Sequence, residues 1–166
     1  MEKKLILVLS LAASLAGCAG WPFGASEPSD RGWVPRTILD EPLYAPFRIG
    51  YDTSQVAKGF VDLIREARDG IEVTVFFGGW CSDSKREVPR FLKLADSAGI
   101  PPDRVRLYAL DRTMKSSDGM ADKYGIERVP TFIFMKNGEE VGRITESPRT
   151  TMEADVLTIL AVARTK

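Results

Sequence analysis

The sequence predicts an α/β domain, with a central mixed sheet of about four strands flanked by helices and preceded by an N-terminal tether. Between residues 54 and 164, segments with apolar residues at helical spacing alternate with short runs of β-branched and aromatic residues. The pair Asn137-Gly138 stands between two apolar runs, which favours a hairpin and therefore one antiparallel strand pair. A chain of 166 residues suffices for one domain of ordinary size with a short extension.

The elements follow one another in the order α-β-α-β-α-β-β-α, without an internal repeat. Helical spacing of apolar residues predicts helices over residues 54–68, 84–98, 117–124 and 151–164. Short apolar runs predict strands over residues 71–77, 105–110, 131–135 and 141–145. Pro89 lies inside the second helical segment, where its ring removes a backbone hydrogen bond. We therefore expect that helix to be kinked.

Residues 1–17 have the pattern of a targeting segment rather than of a folded element. Two lysines precede an apolar run over residues 5–13, and Leu15-Ala16-Gly17-Cys18 resembles the lipobox of bacterial lipoproteins. That resemblance implies cleavage before Cys18, lipidation of its sulfur and a location in the bacterial cell envelope. Ala19, in place of Asp, implies the periplasmic face of the outer membrane. The alternatives are a simple secretory signal or a transmembrane helix, although the apolar run is shorter than the roughly 20 residues that span a bilayer.

Residues 18–47 predict a lipid-anchored linker, which leaves residues 48–166 for the domain. Prolines and glycines interrupt every helical or alternating period in this segment. The segment nevertheless contains five aromatic side chains: Trp21, Phe23, Trp33, Tyr44 and Phe47. Since aromatic side chains bury large apolar areas, we expect part of the linker to pack on the domain. The alternative is a segment that docks a partner.

Composition excludes several classes of function. The chain has 23 basic and 23 acidic side chains and no dense basic run, so neither DNA nor RNA is an expected partner. It has no histidine, which removes Cys-His pairs, Ser-His-Asp triads and imidazole metal sites. Its two cysteines do not have the spacing of a metal site, so we expect no metal and no cofactor.

Three motifs in order resemble those of thioredoxin-like proteins over residues 54–164. Gly79-Trp80-Cys81 ends a predicted strand, and Pro89 follows eight residues later, where that family kinks its active-site helix. Val129-Pro130-Thr131 resembles the loop whose proline is cis and faces the active-site sulfur. Lys136-Asn137-Gly138-Glu139 resembles the last hairpin. The resemblance implies the thioredoxin fold, a catalytic Cys81, and substrate contacts from Trp80, Val129, Pro130 and Thr131.

The active-site motif departs from the family, because Ser84 stands where the second cysteine of Cys-x-x-Cys belongs. Ser84 is our second candidate catalytic residue: its hydroxyl could donate to the Cys81 sulfur, or it could cap the helix together with Glu87. The helix N-terminus favours the thiolate of Cys81. Asp83 opposes this charge, whereas Lys85 and Arg86 support it. The position of the buried acid that often assists the second cysteine in this family is occupied by Val75.

Three functions are consistent with these residues. The first is monothiol exchange, in which Cys81 forms mixed disulfides with protein or low-molecular-weight thiols and an external thiol releases them. The second is a membrane-tethered binding or chaperone-like module that uses the groove at Pro130 without catalysis. The third is a peroxidase that passes through sulfenic acid, but Phe77-Gly78-Gly79-Trp80 lacks the threonine that peroxiredoxins place before their cysteine.

Overall fold

The computed structural model describes residues 31–164. Its ten regular elements are strand β1 (Gly32–Val34), helices α1 (Ala45–Thr53) and α2 (Lys58–Ala67), strand β2 (Ile71–Phe77), helix α3 (Ser82–Ala98), strand β3 (Val105–Ala109), helix α4 (Met120–Lys123), strands β4 (Thr131–Lys136) and β5 (Glu139–Thr145), and helix α5 (Met152–Ala163). Short 3-10 turns cover Arg36–Asp40, Pro42–Tyr44 and Pro102–Arg104. The predicted signal peptide, Cys18, Trp21 and Phe23 lie outside the described residues.

The five strands form one mixed sheet in the order β1-β3-β2-β4-β5. Strands β2 and β3 are parallel, whereas β1 pairs antiparallel with β3, β4 with β2, and β5 with β4. The predicted hairpin is present, with Asn137 and Gly138 both at positive φ between β4 and β5. The prediction of a mixed α/β sheet flanked by helices is confirmed, although the sheet has one strand more than expected.

Alternate residues of the central strands supply two separate cores, as the two-residue period of a strand requires. Val73, Val75 and Phe77 of β2 pack in the larger cluster, which includes residues of α1, α2, α3 and α5. Phe76 of the same strand belongs to the smaller cluster on the opposite face, together with Tyr108 and residues around α4. Helix α3 therefore packs on the same face of the sheet as helices α1, α2 and α5.

Much of the predicted linker is folded against the domain. Strand β1 forms an edge of the sheet, and Tyr44 and Phe47 are fully buried, as expected for aromatic side chains that pack on the domain. Helix α1 was not predicted, because Pro46 interrupts the pattern in sequence. In the structure Pro46 lies in the first turn, where a helix needs no backbone N–H from it. The folded part thus extends N-terminally beyond the predicted domain start at residue 48.

The remaining boundaries shift by a few residues. Helix α2 begins at Lys58 rather than at residue 54, because Ser54 is extended and its N–H closes helix α1 on the carbonyl of Gly50. Helix α3 begins at Ser82, so that Cys81 and not Ser84 is its N-cap residue. Among the described residues, no helix combines the length and the hydropathy needed to cross a membrane.

Candidate active site

Cys81 lies at the junction of strand β2 and helix α3, at the N-terminal end of a 17-residue helix. A tight turn precedes it, closed by a hydrogen bond of 3.0 Å from the Cys81 N–H to the carbonyl of Gly78. The first helical hydrogen bond, also 3.0 Å, runs from the Lys85 N–H to the Cys81 carbonyl. The side chain is partly exposed and its thiol is free. The positive end of the helix and the access to solvent both favour nucleophilic chemistry at this sulfur.

The loop before strand β4 faces the Cys81 sulfur, as the resemblance implied. The Val129–Pro130 peptide bond is cis, and the Cys81 thiol donates to the Val129 carbonyl oxygen at 3.3 Å. Thr131 is buried, and its hydroxyl donates to the Arg128 carbonyl at 2.7 Å, which fixes the loop where the strand begins. The loop therefore places the Val129 carbonyl at the sulfur, with Pro130 and Thr131 directly after it in the chain.

The Trp80 side chain is hydrogen-bonded to the segment that follows strand β3. Its indole N–H donates to the Leu110 carbonyl at 2.9 Å, and its ring packs in the same cluster as Cys81. Gly78 allows this position, because a Cβ atom there would lie 2.7 Å from the indole. The Arg112 guanidinium lies 4.8 Å above the ring centroid, within the range of a cation–π contact.

Ser84 is fully buried one helical turn after Cys81, and it makes neither of the two predicted contacts. Its hydroxyl oxygen accepts a hydrogen bond of 3.2 Å from the Gly78 N–H. Among the described residues, no hydrogen bond joins Ser84 to Cys81 or to Glu87. The capping alternative fails because the helix begins at Ser82, three residues earlier than a cap at Ser84 requires. Ser84 instead joins the helix to the turn that carries Cys81.

Opposite charges are paired along the first turns of α3. Arg86 contacts Asp83 at 2.7 Å and Glu87 at 2.6 Å, and Arg90 reaches Glu87 at 3.4 Å. The hydrogen bond to Glu87, followed by that to Asp83, raises the pKa of Arg86 against the opposing effect of burial. Arg86 thus offsets the charge of Asp83, which the sequence analysis expected to act against a Cys81 thiolate. Val75, at the position of the family's buried acid, lies in the core.

Arg112, near the site, was missed by the sequence analysis, and the burial of Glu87 was not expected. Arg112 follows strand β3, which is parallel to the strand before Cys81. Loops after neighbouring parallel strands meet at one sheet edge, and this topological signal could have indicated it. Glu87 is only 2% exposed, although its sequence spacing had been interpreted as a cap. In the part of the chain described, no cluster of three or more His, Cys, Asp or Glu side chains has the geometry of a metal site.

Comparison with known proteins bears on the same region. The family model for thioredoxin matches residues 53–157. A thioredoxin from Malassezia sympodialis is 31% identical over 98 residues, which is 57% of this chain and 89% of that protein. A protein disulfide-isomerase from Oryctolagus cuniculus is 32% identical over 149 residues, covering 90% of this chain but 23% of the isomerase.

One solved structure, of a Pseudomonas aeruginosa protein of unknown function, matches with a TM-score of 0.50 and 13% identity, over 73% of this chain and 81% of that one. At that identity the match supports the fold alone. The family model spans more than half of the chain and includes Cys81 and the Val129–Pro130 loop. The chain therefore belongs to the thioredoxin family, whose general activity is thiol-disulfide exchange.

Proposed function

We propose that the protein carries out thiol-disulfide exchange as a monothiol, with Cys81 as the nucleophile. One observation carries the proposal: a partly exposed cysteine opens helix α3 beside a cis-proline loop, while Ser84 holds the place of the resolving thiol. Ser84 has no sulfur with which to release a substrate from Cys81. Cys81 therefore captures a disulfide by itself, whereas release of the captured partner needs another thiol.

The chemical step is a simple exchange of sulfur partners. The Cys81 thiolate attacks one sulfur of a disulfide, a new S–S bond forms to Cys81, and the other sulfur leaves as a thiolate. A second thiolate, from a small molecule or a protein, then attacks the mixed disulfide and regenerates Cys81. Cys81 attacks from the N-terminal end of helix α3, where the Val129 carbonyl of the Pro130 loop lies 3.3 Å from the sulfur.

Two measurements test this function: stoichiometric capture of a thiol by Cys81, and catalytic turnover. We expect the purified full chain to bind one glutathione or peptide thiol per molecule at Cys81, seen by intact mass, yet to give little turnover in an insulin-reduction assay. Cys81→Ser should lose the adduct while keeping the fold. Sustained insulin reduction by the wild type, with neither a small-molecule thiol nor another thiol protein added, would contradict the monothiol proposal.

A second candidate is a binding or chaperone-like module without catalysis. It is favoured by the hydrogen bond of 3.3 Å from the Cys81 thiol to the Val129 carbonyl, which engages the thiol within the chain. Reaction of Cys81 with a small disulfide no faster than a free, unperturbed thiol at neutral pH, together with binding of unfolded polypeptide by Cys81→Ser, would favour this module.

The proposal includes a membrane tether. The lipobox-like sequence before Cys18 supports lipidation of that residue and a place in the bacterial cell envelope, on the periplasmic face of the outer membrane. In that setting the substrates would be envelope proteins or small thiols and disulfides.

A further inference from the structure

A groove of about 530 Å³ lies along the part of helix α3 that follows the active-site turn. One wall is the first part of helix α3, which contributes Lys85, Arg86 and Arg90. The other walls are the end of helix α1 and the loop before helix α5, which contribute hydroxyl groups from Ser54, Thr150 and Thr151. The size is within the range that encloses several heavy atoms of a ligand.

Hydrogen bonds link the walls of the groove to the segments that carry Cys81 and Pro130. Lys85 follows Cys81 by one helical turn, and its N–H is bonded to the Cys81 carbonyl. Arg86 donates to the Ser147 hydroxyl at 2.9 Å, and the neighbouring Glu146 N–H donates to the Pro130 carbonyl at 2.7 Å. The walls of the groove are therefore bonded to the segments that carry Cys81 and Pro130.

The charges that line the groove are mainly positive. Arg86 and Arg90 share the carboxylate of Glu87, and Arg86 also pairs with Asp83. Lys85 forms no ion pair with any of the described residues, so its charge is not offset by a direct contact. Glu153, at the start of helix α5, is the acidic side chain that faces the groove. The Ser54 hydroxyl donates to the Gly50 carbonyl at 2.6 Å, so the hydroxyls of Thr150 and Thr151 are the donors that suit a carboxylate oxygen.

We propose that this groove receives an acidic segment of a disulfide-bearing polypeptide and presents its disulfide to Cys81. The inference rests on the proposed function and names its substrate class. Cys81 then attacks the nearer substrate sulfur, forms the mixed disulfide and expels the other sulfur as a thiolate, without an external oxidant or reductant. Lys85 and Arg90 are specificity-determining residues that act by attraction and take no part in bond making.

The test compares two peptides of equal length, each with one cysteine activated as a mixed disulfide with a chromogenic thiol. One peptide carries acidic residues several positions from the cysteine, and the other carries lysines there. The rate of chromophore release and the intact mass of the full chain in detergent give the selectivity for the acidic peptide. The variants are Lys85→Gln and Arg90→Gln. The matched control is Arg104→Gln, which removes one equally exposed cation beside the start of β3, at the other end of the sheet.

We expect the acidic peptide to react faster, and each groove variant to lower the selectivity by about two- to fivefold, the usual effect of one exposed charge pair. In about 1 M salt, where the screening length is about 3 Å, the selectivity should largely disappear. Equal, measurable rates for both peptides would overturn the inference and leave the proposed function standing.

Two further results would also overturn the inference. One is an equal loss of selectivity in Arg104→Gln, and the other is selectivity only for small anionic disulfides whose charges adjoin the sulfur. Absence of any reaction at Cys81 would reject the proposed function itself together with the inference.

Discussion

Ser84 has a structural role at the position where the family's motif has its second cysteine. Its buried hydroxyl accepts from the Gly78 N–H and so holds the turn that presents Cys81, at the point where a resolving thiol would otherwise stand. The side chain is one helical turn from Cys81, which is the spacing that lets two thiols of this family meet. The sequence spacing for an internal disulfide is retained although one sulfur is missing.

Ser84→Cys should therefore convert capture into turnover. The new thiol would compete with external thiols at a very high local concentration and release the substrate as an internal disulfide forms. We expect an increase of at least about tenfold in insulin reduction with a chemical reductant present. Ser82→Cys, which places an exposed thiol at the first residue of α3, is the matched control and should leave turnover low. Equal gains in both variants would show that position 84 has no special geometry.

At the scale of elements, α3 is held in place by helix α1 and by the segment before it. Asp96 of α3 accepts hydrogen bonds from the Arg36 guanidinium at 2.7 Å and from the Tyr51 hydroxyl at 2.6 Å. Gly50 lies against Pro89, the proline inside α3, at a distance that leaves no space for a side chain. The N-terminal segment thus supports the helix that carries the reactive cysteine.

Gly50→Ala should destabilise the protein. A Cβ atom at this position would lie 2.7 Å from Cγ of Pro89, so the two helices must separate. The strain outweighs the helix propensity gained, and we expect a loss of about 1 to 2 kcal/mol in the free energy of unfolding. Gly59→Ala is the control in helix α2, where nothing lies within 4 Å, and it should stabilise by up to about 1 kcal/mol. Urea denaturation of both variants measures the difference; equal effects would refute the close contact.

The Asp96 cluster predicts a pH-dependent contribution to stability. Burial alone would raise the pKa of Asp96, but hydrogen bonds from Arg36 and Tyr51, with the charges of Arg36 and Lys93, lower it below the ordinary value of 3.8. A carboxyl with a lower pKa in the folded state adds stability above its unfolded pKa. That stability is lost as the pH falls through the folded value.

Asp96→Asn should accordingly cost about 1 to 2 kcal/mol of unfolding free energy at pH 7, since hydrogen bonds to a charged group are lost at a partly exposed site. The difference from the wild type should narrow as the pH falls below about 4. Asp62→Asn, which removes an exposed ion pair with Arg65, should cost less than about 0.5 kcal/mol at pH 7. A constant cost of Asp96→Asn between pH 7 and pH 2 would contradict the assignment.

These elements also show which parts of the structure the sequence could reveal. The central strands and helices α3 and α5 have strong periodic patterns, and Val129-Pro130-Thr131 is a specific motif, so each was predicted close to its observed place. Strand β1 has only three residues, too few for a period, and its pairing with β3 is a long-range contact. The partner of the Ser84 hydroxyl depended on where α3 begins, and helix ends are poorly determined by propensity.

In the molecule as a whole, strand β1 begins at the end of the sheet that carries the active site. Strand β1 runs antiparallel to β3, which places Gly32 opposite Ala109 at the carboxyl end of β3. Arg31 pairs with Asp111, the residue after the Leu110 whose carbonyl binds the Trp80 indole. The segment from Cys18 to Arg31 extends at most about 45 Å. A lipid anchor at Cys18 would therefore keep this edge of the sheet near the membrane.

The anchor itself is tested by Cys18→Ala. We expect the wild type to begin at a lipidated Cys18 and to partition with membranes, because acyl chains supply the anchoring energy. The variant should leave the membrane fraction or remain uncleaved. Mass spectrometry of the N-terminal peptide and cell fractionation provide the measurements. A soluble wild type with an unmodified Cys18 would reject the tether while leaving the chemistry of Cys81 untouched.

The lifetime of the mixed disulfide at Cys81 shows whether Cys81 captures disulfides without releasing them alone. The full chain is reacted with oxidised glutathione, excess reagent is removed, and the Cys81 adduct is followed by intact mass at increasing concentrations of added thiol. We expect the adduct to persist without thiol and to be released at a rate proportional to the thiol concentration. Release at the same rate with and without added thiol, or failure of Cys81 to form the adduct, would contradict the monothiol proposal.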